Sequence, residues 1–269
     1  MKIAVCVKYI PDLQSERRIE DGRMVRGEDD TLNELDENAI EAAVSLVEKH
    51  GGEVVAFSMG PEDAEDAVMR ALQMGADRGV LITDEQLAGS DVYATASVLS
   101  AAILSHEAEA PFDLVVTGMA SFDGMTFMLP AALATYLGRP YMGLAKETEV
   151  TSNLVRITRE SDGYLDQLEA PFPAVISVTD QANDPRYPNF KAMAAARKKP
   201  LEVWDLDELL GRVAQANASF ELGPVGAQSS GTNILDVSVL PERENRVVVT
   251  DTGDGGKKLA EYIAQVVSR

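Results

Sequence analysis

Apolar and polar positions change register repeatedly along the first half of the chain. Short β-branched runs at Lys2–Tyr9 (KIAVCVKY), Glu53–Ser58 (EVVAFS), Arg78–Thr83 (RGVLIT) and Phe112–Thr117 (FDLVVT) read as buried strands. Between them, Leu35–His50, the acidic-fronted run after Pro61, Val92–His106 and Phe127–Leu137 carry apolar residues at helical spacing. Gly51-Gly52 and Gly75 stop two of these helices. Strands alternating with helices predict an α/β fold, a doubly wound and mostly parallel sheet covered on both faces.

The pattern changes after about Arg139. Lys146–Thr151, Leu154–Arg159 and Leu165–Ala170 alternate like short exposed strands, a small antiparallel excursion. Ala174–Thr179 (AVISVT) returns as a core strand. From Leu201 onward no segment carries the pattern of a core element. Trp204–Arg212 is expected as a short helix, Gly223–Gly231 as a linker, Asp236–Thr250 as an extended stretch and Lys257–Ser268 as an amphipathic helix. These expectations divide the chain into an α/β domain, 1–204, and an extended C-terminal arm, 205–269. Such a tail makes sense packed on another chain.

Composition narrows the function. With 44 acidic against 24 basic residues, the net charge is −20. That disfavours nonspecific nucleic-acid binding and attraction to anionic membranes. Cys6 is the single cysteine, so no internal disulfide forms and a reducing compartment is expected. The N-terminus lacks a signal-peptide core and no window spans a membrane, so a soluble, cytoplasmic protein is expected. His50 and His106 are isolated and make no metal-ligand cluster with Cys6. GxSxG, Walker A and GxGxxG motifs are missing. The chain is therefore expected to be no enzyme by itself, taking part in chemistry only through a borrowed cofactor.

Ligands of open α/β sheets bind beyond the carboxyl ends of the strands. Three loops lie there: Lys8–Asp12, Ser58–Pro61 and Thr117–Pro130 (TGMASFDGMTFMLP). In the last, Gly118 and Gly124 permit unusual dihedrals and close approach. Thr126 offers a hydroxyl near a helix N-terminus, an anion site. An ordinary strand-to-helix loop has the same glycines. Cys6 leaves room for a base or is simply buried. Asn33 either caps the first helix or reaches into the crevice.

The combination of MKIAVCVKYIPD, LNELDENAIEAAVSL, SMGPEDAEDAVMRALQMGADRGVLI, TGMASFDG and LEAPFPAVISVTDQANDPRYPNFKAMAAARKKP resembles the beta subunit of electron transfer flavoprotein, over about residues 1–204. DTGDGGKKLAEYIA near the C-terminus also fits. The resemblance implies an adenine-nucleotide-binding fold, an alpha-subunit partner holding most of the FAD, and a structural AMP in this chain. It implies a carrier that takes electrons from acyl-CoA and related dehydrogenases, as in fatty-acid β-oxidation, and passes them to a quinone oxidoreductase or another acceptor.

By position, the resemblance assigns AMP contacts to Cys6, Asn33, Ser58, Met59 and Gly60. It adds Gly118, Met119, Asp123, Gly124, Met125, Thr126, Phe127, Met128 and Leu129. Family members often carry polar residues where this chain has Phe127, Met128 and Leu129, so backbone amides or Thr126 must hold the phosphate here. Leu13 falls near a flavin-proximal position. In the Arg159–Val175 signature, Arg159, Asp162, Gly163, Leu168 and Pro173 fit, while Tyr164 and Asp166 depart.

The stretch at about 183–199 matches a partner-docking loop: Pro188, Asn189, Phe190, Lys191, Met193, Arg197 and Lys198, with Lys199 ending a basic run. Phe190 falls at the apolar anchor, although it equally suits folding back onto its own helix. Two other readings stand beside this one. One is a free-standing universal-stress-type regulator binding ATP, and the other is a bifurcating variant with a second FAD in place of AMP.

Overall fold

The computed structural model describes residues 1–15, 18–20, 23–27, 29–107, 110–217, 219–238, 241 and 248–267. The chain divides into two compact units, Met1–Leu235 and Asp236–Arg269.

In the first unit, strand β1 (Lys2–Cys6) leads into β2 (Tyr9–Pro11), β3 (Ile19–Glu20), β4 (Arg23–Met24) and β5 (Asp30–Leu32), which pair as two short antiparallel ribbons. Then α1 (Glu34–His50), β6 (Glu53–Met59), α2 (Glu65–Met74), β7 (Arg78–Ile82), α3 (Val92–Ser105), β8 (Leu114–Gly118) and α4 (Leu129–Leu137) alternate as the periodicity predicts. Next come β9 (Tyr141–Ala145), the antiparallel set β10 (Glu147–Val150), β11 (Leu154–Ser161) and β12 (Tyr164–Pro171), and then β13 (Ala174–Val178). Last in this unit are α5 (Phe190–Ala196), β14 (Leu201–Trp204) and α6 (Leu206–Ala216).

The main sheet has seven strands in the order β14-β7-β6-β1-β8-β13-β9, all pairs parallel. Its two faces carry separate cores. Ile3, Val5, Leu81 and Ile176 pack under α1 and α2 with Ile40 and Leu72. Phe57, Val80 and Val115 pack under α3, α4 and α6 with Ile103, Leu133 and Leu209. Each such large side chain contributes about 1.5–3 kcal/mol by leaving water. In the β11–β12 hairpin, Asp162 (φ 51°) and Gly163 (φ 79°) supply the two positive φ values of a two-residue turn, and Arg159 pairs with Asp166 at 3.1 Å.

The structure departs from the sequence reading beyond Leu201. β14 extends the sheet beside β7, and Trp204 is buried. The Trp204 ring stacks on His106 at 5.2 Å, with the Arg212 guanidinium 4.3 Å from its centre. Leu206, Leu209 and Val213 of α6 are buried too. The Gly223–Gly231 stretch is not a free linker. Gly223 and Gly226 donate to Ser97 Oγ and Ser90 Oγ, and Ala227 donates to the Ala88 carbonyl. β1 also ends earlier than expected, because Lys8 turns away to a buried carboxylate.

The second unit contains α7 (Gly255–Val267). Asp251 Oδ1 accepts from Gly253 N and Gly255 N, both at 2.8 Å, and so organises its N-terminus. Leu259, Tyr262, Ile263 and Val266 recur at helical spacing, each more than half exposed. The expected extended stretch at 236–250 falls at 239–240 and 242–247 on residues outside those described. Among the described residues no helix is long and apolar enough to cross a membrane.

Candidate functional site

Strand order reverses between β1 and β8, because the chain first builds outward through β6 and β7 and only then crosses to β8. In open α/β sheets the loops diverge at such a point and leave a ligand crevice beyond the carboxyl ends. Lys8–Asp12 and residues 118–129 rim it, with the Ser58–Pro61 loop beside them.

The residues singled out from the sequence gather around this crevice in different roles. Cys6 is buried at the end of β1, its thiol pushed up to about 12 by burial and by the nearby Asp36. Ser58 is fully buried and its Oγ has no hydrogen-bond partner. Strand alternation turns Ser58 to the face of the sheet opposite Cys6. Met59 is half-buried, and Gly60 fits where a Cβ would lie 2.8 Å from Ala64 Cβ.

Asn33 stands at the N-cap of α1 but makes no capping bond with its side chain. Instead Nδ2 donates to the Ala120 carbonyl at 2.9 Å and Oδ1 accepts from Phe122 N at 3.2 Å, which clamps the long loop. Gly118 ends β8, and its lack of a side chain serves packing. A Cβ there would lie 2.6 Å from Asp36 Oδ1 and 2.7 Å from the Leu35 carbonyl. The positive φ values fall not on Gly118 or Gly124 but on Met125 (45°) and Phe127 (56°). Bulky residues adopt that conformation only under constraint. Met119 and Leu129 are half-buried, whereas Gly124, Met125, Thr126, Phe127 and Met128 are exposed. Thr126 Oγ1 accepts from Met128 N at 3.4 Å, and α4 begins without a side-chain cap.

Asp123 is committed inside the protein. Lys8 Nζ lies 2.8 Å from its Oδ1, and Arg26 pairs with its Oδ2. Burial opposes its ionisation, but the two cations outweigh that and hold its carboxyl down at about 2. Arg26 also donates to the Tyr9 carbonyl at 2.9 Å, tying the β2–β5 ribbons to the crevice rim. Leu13 lies on the turn after β2 and is 40% exposed.

Sequence reasoning named Lys8 only as the start of a loop and missed Arg26 and, above all, Asp36. The Asp36 carboxylate is buried against Gly118, accepts from Lys8 N at 2.9 Å, and is pushed up to about 7 by burial. Its only signal was a carboxylate three residues after Asn33, which imitates a capping arrangement.

A second surface lies after β13. Arg186 reaches back to Glu41 and Glu48 on α1, and Asn183 exchanges hydrogen bonds with Asn38. Pro188 is buried. Asn189 caps α5 by accepting from Ala192 N at 2.9 Å. Phe190 is 89% exposed, beside exposed Lys191, Arg197 and Lys198, and Met193 is half-buried. Lys199 differs from the expectation of a free basic run. Its Nζ donates to the Leu72 and Ala76 carbonyls at 2.9 and 2.6 Å, capping α2.

Sheet and pinned loop define a doubly wound α/β protein with a topological switch point between β1 and β8. The electron transfer flavoprotein domain matches residues 22–209. The chain is 35% identical over 269 residues to the electron transfer flavoprotein subunit beta of Mycobacterium leprae, covering 97% of each chain. It is 33% identical to the subunit beta of Syntrophomonas wolfei, covering 99% of this chain and 97% of that one. For the Clostridium acetobutylicum protein of the same name the identity is 32%, over 86% of this chain and 88% of the other. The chain belongs to the electron transfer flavoprotein beta-subunit family.

Proposed function

We propose that this chain pairs with an electron transfer flavoprotein alpha subunit, carries a structural AMP, and serves as a cytoplasmic electron carrier without catalytic side chains. Its donors are acyl-CoA and related dehydrogenases, and its acceptor is a quinone oxidoreductase or a similar protein. Bound FAD, held mainly by the alpha subunit, supplies one- and two-electron chemistry. This chain contributes docking, orientation and a fixed nucleotide.

The observation that carries the reading is Phe190. It stands 89% exposed on a segment fastened at both ends, by Arg186 on α1 and by Lys199 on α2. An aromatic held out this way suits a partner's pocket and loses little entropy on binding. The stripe Leu259, Tyr262, Ile263 and Val266 on α7 suits burial against the alpha subunit.

The crevice residues fit AMP. The orphan Ser58 hydroxyl offers a buried hydrogen bond, Lys8 and Arg26 bring positive charge to the rim, and the uncapped start of α4 presents free backbone N–H groups. Asp123 neutralises part of that charge, and Phe127 and Met128 add no polar side chain. The phosphate is therefore held by backbone and by Thr126. Co-expression with an alpha subunit tests the reading: a yellow heterodimer reduced by an acyl-CoA dehydrogenase supports it, and a colourless monomer refutes it.

A further inference from the structure

We propose that Asp91 is a positioning residue for the alpha subunit: it knots the segment after α6 onto the start of α3, and so fixes the point at which the C-terminal arm leaves the first unit. This role rests on the pairing with an alpha subunit proposed above.

Asp91 divides its two carboxylate oxygens between two tasks. Oδ1 accepts from Tyr93 N and Ala94 N, each at 3.0 Å, and caps α3. Oδ2 accepts instead from Thr232 N at 3.0 Å and from Thr232 Oγ1 at 3.1 Å. The backbone answers in the opposite sense, since Asp91 N donates to Ser230 Oγ at 2.9 Å. Asp91 and the Ser230–Thr232 segment are thus closed into a reciprocal ring. The helix cap needs only Oδ1, so the bonds at Oδ2 serve the strap and not α3. Burial opposes ionisation of Asp91, but these bonds outweigh it and hold the carboxyl below its usual range.

The strap is guided before it reaches the knot. Phe220, Leu222 and Val225 pack against the core under α3 and α6. Gly223 N donates to Ser97 Oγ at 2.9 Å, and Gly226 N donates to Ser90 Oγ at 2.8 Å. Gly226 takes a φ of 79°, and a Cβ there would lie 2.5 Å from the Gln86 carbonyl oxygen. Glycine therefore lets the strap lie close against the loop before α3. Immediately past Thr232, Ile234 and Leu235 are exposed, and the first unit ends at Leu235. Two apolar side chains held out at a fixed exit suit burial by the alpha subunit. A segment fixed before binding also loses less entropy on binding than a free one.

The test uses the full chain co-expressed with its alpha subunit. Release of the alpha subunit is followed by its replacement with a tagged copy, and amide hydrogen exchange is read in the same complex. Asp91→Asn keeps Oδ1 for the cap but sets Nδ2 against Thr232 N, donor against donor. A double variant, Ser230→Ala with Thr232→Val, cuts the strap side of the knot and leaves the cap in place. Both variants are expected to speed exchange at Ala227 and Thr232 at least tenfold, to leave Tyr93 and Ala94 protected, and to release the alpha subunit at least fivefold faster than wild type. Faster amide exchange with unchanged release overturns the proposal, because the strap is then merely structural. Faster release from Asp91→Asn alone also overturns it, because the helix cap is then the cause. If Asp91→Asn does not accumulate, the double variant decides by the same release rate. A wild-type chain that forms no heterodimer sinks the pairing and this role with it, whereas a stable heterodimer indifferent to both variants overturns the role of Asp91 alone.

Discussion

Arg186 and Glu41 lie 145 residues apart in sequence, and Arg186 Nε sits 2.7 Å from Glu41 Oε2. The same guanidinium grips Glu48 through both terminal nitrogens, at 2.6 and 2.9 Å. Burial opposes ionisation of Glu41, but the Arg186 bonds outweigh it and leave the carboxyl below its usual range. Arg186→Gln should destabilise the chain by about 1–3 kcal/mol, discounted because the arginine is one-third exposed. Arg186→Lys should restore little, since lysine cannot bridge two carboxylates. Folded-state pKa values below the unfolded ones mean that this contribution is present above the ordinary glutamate range and fades as pH falls through it. The gap between wild type and variant in urea titrations should therefore be smaller at pH 4 than at pH 7.

Phe190 makes almost no contribution to folding while it is exposed. Phe190→Ala should change stability by less than about 0.5 kcal/mol and leave bound FAD and AMP unchanged. The apparent KM of an acyl-CoA dehydrogenase for the carrier should rise about tenfold or more, as for a lost hot spot of about 1.4 kcal/mol or greater. Steady-state dehydrogenase assays check this, and unaltered kinetics count against the docking role.

His106 gives the fold an acid limit. Burial first, and then the neighbouring cations against Glu202, hold its imidazole down at about 4. Nε2 is buried without a partner, and the ring stacks on Trp204. The unfolded chain binds a proton near pH 6.5 and the folded one near 4. Its neutral form therefore favours folding fully above about pH 6.5, and stability falls as pH drops toward 4. The chain's single tryptophan reports on this packing. His106→Phe should flatten the pH dependence of stability between those limits, followed by Trp204 fluorescence during denaturation.

Gly118→Ala places a methyl 2.6–2.9 Å from Asp36 Oδ1 and the Leu35 backbone. Neither neighbour is a flexible chain end, so β8 must shift from α1. A loss of about 1–3 kcal/mol is expected, with a lowered melting temperature and weakened nucleotide retention. Gly124→Ala, with no contact inside 3.6 Å, should be close to neutral in the same assay.

The alternating core of the fold was legible because each strand and helix carries its own period. β14 was not, since Leu201–Trp204 is only four residues long and Trp204 becomes a core residue only against the edge of β7. Lys199 looked like surface charge because its partners, the Leu72 and Ala76 carbonyls, are backbone groups that no pattern announces. Asp36 read as one acid among many on a helix. Its carboxylate is buried against Lys8 and Gly118, both outside the helix that carries it. Phe190 was only half legible: its residues alone suited display or folding back onto its own helix, and the structure has it 89% exposed at the start of the helix that Asn189 caps.

The central claim is that this chain is the nucleotide-carrying half of a flavin electron carrier. The most direct measurement is the mass of every ligand released when the heterodimer purified with its alpha subunit is denatured. One FAD and one AMP per heterodimer is the predicted result. ATP in place of AMP, or a second FAD from this chain, would contradict it.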